Sequence, residues 1–363
     1  MAVAYVIEQN TTVNREGERL LIRKEGEVLH ALHIFKIEQL VLFGNVFITP
    51  AALAYLLEKG IDTVFLSKNG RYRGRLQPAL SKNITLRCEQ FKKLMDPDFC
   101  LKTAREIVNG KLANLRTVLL RLNRTRPGLN LEDEILGLKK LQRSLSDSDN
   151  LESVRGYEGR GAVLYFKGLA GGIIDKRLHF SKRVRRPPTD PVNALLSLGY
   201  TLLFNTVMAA VSMIGFDPYL GCLHAVDYGR PSLALDLIEE WRPIIIDTLV
   251  LSVFNLRVLT VEDFTVGKDI EDLEDNTTSD PLEEMESEPQ QTSPLNPNEL
   301  PVKLTDAGFR KFITQFERKM AEKIIHPLNG QQLSYRDCIR EQVRYFARYI
   351  RGEEENYQPL LLK

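Results

Sequence analysis

The period of the apolar residues changes once along the chain, near Ser81, and that change limits what the sequence can fold into. Before it, "AVAYVIEQNTTVNREGERLLIRKEGEVLHALHIFKIEQLVLFGNVFIT" strings β-branched runs between "NREGE", "KEGE" and "FGN". Such runs separated by turn residues read as strands. One helical segment, "PAALAYLLEKG", follows, with Pro50 near its start and Gly60 at its end, the usual asymmetry of helix termini. Then "DTVFLS", "KNG" and "YRGRLQP" read as a hairpin. Beyond Ser81, "NITLRCEQFKKLMDPDFCLKTAREIVNGKLANLRTVLLRLNR" places apolar residues three and four apart, which is the helical period. Further helical runs are expected over 190–215, 232–256, 304–326 and 334–351. The fold class expected is α+β: a small β-rich N-terminal domain over 1–80, a large all-helical domain over 81–351 and a C-terminal tail at 352–363.

The stretch from Gly267 to Leu300 breaks the helical pattern. It holds eleven acids against one lysine, Lys268, and no aromatic residue. A segment of that composition buries too little apolar surface to offset its ordering entropy, so a disordered acidic insertion is expected at about 267–300. The whole chain carries +1, so removing a segment of −10 leaves about +11 on the remainder. A basic body suits an anionic partner, nucleic acid first among them. Cys88, Cys100, Cys222 and Cys338 are scattered with no CxxC pair, which suggests neither a disulfide framework nor a zinc ribbon. No secretory signal pattern opens the sequence. The longest apolar run, "IIIDTLVLSVFNL", is too short to cross a bilayer and contains Asp247. A cytoplasmic protein with no membrane partner is expected.

The stretch "LHAVDYGRPSLALDLIEEWRP" at 223–243 raises the chemical question. On a helix beginning near Pro231 or Ser232, Asp236 and Glu239 lie about 60° apart around the axis and roughly 4.5 Å apart along it. Glu240 lies beside them, while Leu233, Leu235, Leu237, Ile238 and Trp241 cover the rest of the circumference. Two carboxylates about 4 Å apart repel by roughly 4 kcal/mol at an effective dielectric near 20, and burial also removes their hydration. Arginine partners or a divalent cation would neutralise them. His224, ahead of the "DYGRP" turn, reads as a metal ligand or as a hydrogen-bonded structural residue. Glu158, in "SVRGYEGRGAVLYF", reads as a ligand or as the ion-pair partner of Arg155, with Gly156 and Gly159 leaving room for close approach.

One imidazole with two or three carboxylates suits Mg²⁺ or Mn²⁺ better than structural zinc. In a basic protein, such a centre points to phosphodiester chemistry. The segment "DKRLHFSKRVRRPPTDPVNALLSLGYTLL" supplies Lys182, Arg183, Arg185 and Arg186 for backbone phosphates, and Arg242 follows the acidic stripe as a further candidate DNA contact.

Taken in order, "GYEGRGA", "RPPTDPVNALLSLGYTLL" and "GFDPYLGCLHAVDYGRPSLALDLIEEWRP" resemble the CRISPR-associated integrase of spacer acquisition, the endonuclease subunit shared by most CRISPR systems. The resemblance covers nearly the whole chain except the acidic insertion. It implies that the helical domain is catalytic, with Glu158, His224 and Glu239 as metal ligands and Asp236 as a further acid near the metal. It also implies a homodimer paired through the N-terminal domains and a small ferredoxin-like CRISPR adaptation partner protein. The implied reaction is attack of the 3′-hydroxyl of a short prespacer duplex on a phosphodiester of the CRISPR leader–repeat. A general branched-DNA repair nuclease and a non-catalytic DNA-binding scaffold are the alternative functions.

Overall fold

The computed structural model describes residues 2–77, 83–184, 188–267 and 300–362, which fall into two compact units. The acidic insertion, apart from its end residues, lies outside the described residues, as do Arg185 and Arg186.

The first unit, residues 2–77, holds two four-stranded sheets. One has the order β1 (Ala2–Val6), β5 (Ile37–Phe43), β7 (Asp62–Leu66), β8 (Tyr72–Leu76); only the β7–β8 pair is antiparallel. The other has the order β4 (Glu27–His33), β3 (Arg19–Lys24), β2 (Thr11–Glu16), β6 (Val46–Ile48). Strand β5 runs between β1 and β7 and is buried at nearly every position, as the near-continuous apolar run of a central strand requires. Val13, Leu20, Ile22, Leu40 and Leu42 pack with Tyr55 and Leu56 of helix α1 (Pro50–Lys59) into one core. The Thr49 hydroxyl accepts the Ala52 amide at the start of α1, and Gly60, at φ 68°, ends it. The edge strand β4 is exposed along most of its length.

The second unit is mostly helical. Helix α2 (Ile84–Leu94) leads to α3 (Pro97–Thr125), which packs against α4 (Glu132–Leu145) and α5 (Leu151–Gly171). Helix α6 (Pro191–Ile214) is capped by the Asp190 carboxylate and buried along most of its length. It is the one described helix long and apolar enough to cross a membrane, but 83% of that window is buried inside the protein, so it is accounted for as a core helix.

Two expectations for this unit change. The run over 232–256 is not one helix but α7 (Ser232–Ile238), a π-helical turn (Arg242–Asp247) and α8 (Thr248–Asn255). Pro243 has no N–H to return to the Glu239 carbonyl, so the regular ladder cannot pass through it. The run over 304–326 ends early. Helix α9 (Asp306–Ala321) stops where β-branched "KII" begins, and β11 (Lys323–Ile325) pairs with β12 (Gln332–Ser334). A second ribbon joins β9 (Phe264–Val266) to β10 (Val302–Leu304), so the helical unit carries two short antiparallel ribbons. After α10 (Tyr335–Arg351) the C-terminal segment is not loose: Tyr357 and Leu360 are buried.

Tyr200 of α6 donates to Asp247 of the π-turn at 2.6 Å. Burial pushes the Asp247 carboxyl up to about 6, against hydrogen bonds from Tyr200 and Tyr165 that favour its charged form. An unfolded aspartate titrates near ~3.9, so between about pH 4 and 6 the folded state holds a proton that the unfolded state has lost. Ionised Asp247 therefore costs stability as pH rises through that window. Thermal melts in EDTA should show Asp247→Asn gaining on the wild type between pH 5 and 7.5, by on the order of 5 °C. A difference that stays constant with pH would show that Asp247 titrates normally.

Candidate metal centre

Four elements of the helical unit deliver the acidic and basic groups. Helix α3 carries Lys111 and Asn114, α5 carries Glu158, the loop after α6 carries His224, and the end of α7 carries Asp236, Glu239 and Glu240. Helices α3 and α5 approach closely because Gly161 has no Cβ; one built there would overlap the Leu112 side chain. Gly156, by contrast, has open space where its Cβ would be, so the close approach expected near Glu158 is made by Gly161.

Asp236 is fully buried and organises the histidine loop. Its Oδ2 accepts the amides of Cys222 at 2.6 Å and Leu223 at 3.0 Å. Its Oδ1 accepts the His224 amide at 2.9 Å and meets the His224 ring Nδ1 at 2.7 Å. Gly221 permits this wrap: a Cβ there would lie 2.5 Å from Asp236 Oδ2 and 2.6 Å from the Ser232 carbonyl carbon. Arg155 ties the same loop to α5 by donating from Nε to the Leu223 carbonyl at 2.7 Å, so it does not serve Glu158. With both oxygens taken, Asp236 orients His224 in the manner of a carboxylate behind a metal-bound imidazole. In the neutral ring, a Nδ1–H donated to Asp236 leaves the Nε2 lone pair facing outward. That atom lies 4.0 Å from Glu239 Oε1.

Lys111 was not among the residues expected at this site. Its Nζ contacts both Glu158 Oε1 and Glu239 Oε2, and so bridges the two carboxylates. Arg242 Nε lies 3.6 Å from Glu239 Oε1, and its guanidinium sits 4.9 Å from the centre of the Tyr200 ring. Burial raises the Glu239 carboxyl, but Arg242, Lys111 and His224 together hold it down at about 2. Burial lowers the Lys111 ammonium, and Glu158 and Glu239 more than reverse that, so it stays charged. The signal in the sequence was a lysine among buried neighbours: Ile107, Val108, Leu112 and Leu115 surround it on α3.

Glu240 faces the other way. It accepts Tyr357 Oη at 2.8 Å and the Leu360 amide, and Gln342 Nε2 lies 3.4 Å away. Burial pushes its carboxyl up to about 8. It belongs to the docking of the C-terminal segment, which leaves Glu239 alone to face His224.

The candidate phosphate contacts differ in position. Lys182 is exposed. Arg183 donates to Val184 O, Asn193 Oδ1 and Ser197 Oγ within 3.0 Å. It therefore holds the start of α6, while Arg242 is buried against Glu239. Both line a cleft with Lys111, Glu158, Tyr165 and Tyr200.

Glu158, His224 and Glu239 form a mixed carboxylate–imidazole donor set of the kind Mg²⁺ and Mn²⁺ accept. His224 Nε2 faces Glu239 Oε1 at 4.0 Å, an approach made attractive either by a proton on the ring or by a cation held between the two atoms. The donor chemistry therefore fits a divalent ion. As they stand, no three His, Cys, Asp or Glu side chains among the described residues close into a cage. The Lys111 ammonium lies between two of the three donors.

The profile of the family described as CRISPR associated protein Cas1 matches residues 4–287. The chain is 35% identical over 365 residues to the CRISPR-associated endonuclease Cas1 3 of Thermus thermophilus, covering 100% of this chain and 98% of that protein. Its fold is similar to that of a casposase bound to integration product, with a TM-score of 0.81 at 21% identity over 99% of this chain and 93% of the other. It is also similar to a Cas6-RT-Cas1–Cas2 complex, with a TM-score of 0.80 at 22% identity over 100% of this chain and 36% of that one. With a family match across most of the chain and a relative of this identity along its full length, the chain belongs to the CRISPR-associated Cas1 family.

Proposed function

We propose that this protein is a metal-dependent DNA endonuclease and integrase that inserts short duplexes into a CRISPR array. The observation that carries this reading is the His224 ring fixed by Asp236, with Nε2 turned toward Glu239. The relatives' endonuclease name and the fold shared with a casposase on its integration product support the reaction class.

Glu158, His224 and Glu239 would hold Mg²⁺ or Mn²⁺. When bound, such an ion supplies Lewis-acid polarisation of a phosphate and activation of the attacking oxygen. The chain's own groups do the rest. Asp236 keeps the His224 ring in one orientation, and as a carboxylate it accepts the proton of Nδ1–H, leaving Nε2 to act as the donor atom. Arg242, held against Tyr200 and Glu239, keeps a positive charge at the cleft where negative charge would build on the phosphate. A 3′-hydroxyl entering this cleft gives strand joining, and water in its place gives hydrolysis. Lys182, with Arg185 and Arg186, is assigned to backbone phosphates, and Lys182 is exposed to meet them. The exposed β4 edge with Val28 and Leu29 is assigned to pairing of two N-terminal units as a homodimer. A small ferredoxin-like adaptation protein is the proposed further partner, in line with the Cas1–Cas2 complex that shares the fold. A reducing cytoplasm suits four free cysteines.

Three outcomes test this. A 3′-hydroxyl duplex incubated with a leader–repeat plasmid, the small partner and Mn²⁺ should give joined product, lost in Glu158→Ala and His224→Ala; cleavage without joining would indicate a repair nuclease, and DNA binding alone a scaffold. In the same assay Asp236→Asn should cut joining by about 10–100-fold, the usual cost of removing the partner behind a metal-bound histidine; unchanged joining would leave Asp236 without that role. Lys182→Ala should weaken duplex binding evenly across sequences and lower the slope of log K against log salt by about 1, and an unchanged slope would remove it from the phosphate contacts.

A further inference from the structure

Lys111 stands where the donors need a cation. Its side chain is only 8% exposed, it lies on α3 rather than on any element carrying the other groups, and its Nζ contacts Glu158 and Glu239 at once. With Arg242 beside Glu239, two cations already balance the two carboxylates. A divalent ion entering between Glu158, His224 and Glu239 adds two charges to a balanced, buried cluster. That surplus is relieved in one of two ways: Lys111 leaves the carboxylates, or an anion enters beside it.

Lys111, Arg183 and Arg242 line one narrow cleft together, so an anion drawn to it meets the ammonium directly. We infer that Lys111 is the resident counter-cation of the Glu158–Glu239 pair, that it competes with the divalent ion, and that an incoming DNA phosphate relieves the competition by drawing the ammonium off the carboxylates. Metal loading is thereby tied to the presence of substrate. An empty enzyme binds the ion weakly and does little stray hydrolysis, and the enzyme on DNA binds it well. This rests on the proposed metal-binding role of Glu158, His224 and Glu239 and adds what governs their affinity. A lysine serving only to pack α3 against α5 would not behave this way, because removing it would leave the metal affinity unchanged or lower it.

The test is calorimetric titration of MnCl₂ into the full chain, with and without a short 3′-hydroxyl duplex, for the wild type, Lys111→Met, Lys111→Arg and Glu158→Gln. Without DNA, Lys111→Met should bind Mn²⁺ roughly tenfold more tightly than the wild type, a factor the method resolves easily. Lys111→Arg, which keeps the charge, should not. The duplex should tighten Mn²⁺ binding to the wild type by a similar factor and to Lys111→Met by much less, since metal and DNA affinities are linked reciprocally. In thermal melts, Lys111→Met should lose stability in EDTA and recover it with Mn²⁺. If that variant does not fold, Lys111→Gln, which keeps a hydrogen-bond donor, takes its place. Equal or weaker Mn²⁺ binding in a folded Lys111→Met or Lys111→Gln overturns the competition while leaving the metal site intact. Mn²⁺ binding that survives Glu158→Gln unchanged overturns the metal reading itself, and the competition with it.

Discussion

Two carboxylates on different helices, Glu158 on α5 and Glu239 at the end of α7, are brought to one buried cation. Everything nearby follows from making that burial tolerable. Removing one partner from a buried charge pair costs about 3–5 kcal/mol, because the charge left behind stays out of water. Lys111 and Arg242 meet that requirement, and each is fixed in turn. Lys111 is locked among apolar neighbours on α3, and Arg242 lies against the face of Tyr200, whose hydroxyl is held by Asp247. Both cations are therefore in place beside the two carboxylates before any ligand arrives.

The backbone is shaped to the same end. Asp236 gathers three successive amides, which turns the Cys222–His224 segment into a concave loop closed over one carboxylate. Only a residue without a Cβ at position 221 lets that loop come so close. The π-helical turn after Glu240 then shifts the phase of the helix, so that Arg242 and Asp247 both reach the cleft, which a uniform α-helix through Pro243 could not provide. π-turns recur at functional sites for this reason: one inserted residue re-aims everything beyond it.

Much of this was legible in the chain. The change of period near Ser81 separated sheets from helices, and the acidic residues on an apolar helix marked the candidate site. The choice of Glu239 over Glu240 came from family resemblance, since both carboxylates share one helix end and spacing alone cannot rank them. The structure supplies the physical distinction, because Glu240 is consumed by Tyr357 and Leu360. The resemblance implies Asp236 as a further acid near the metal, and its oxygens accept the amides of 222–224 and meet His224 Nδ1. A helical wheel shows which acids share a face but not which of them a distant loop will occupy.

Lys111 was missed for a deeper reason. Its position depends on contacts made by residues more than two hundred places further along the sequence. Gly110, its neighbour, accepts Pro359 against its bare Cα, and Asn114, one turn on, donates to Leu360 O at 2.9 Å and to Glu240 O at 3.1 Å while accepting the Leu362 amide at 2.8 Å. The C-terminal segment thus clamps the turn of α3 that carries Lys111 and, through Glu240, the residue next to Glu239. Local propensity makes α3 a helix; this clamp, with the α3–α5 packing at Gly161, fixes where along its axis and in which rotation Lys111 meets the two carboxylates. A short segment that composition marks as a tail thus braces the chain on both sides of the Lys111–Glu239 contact.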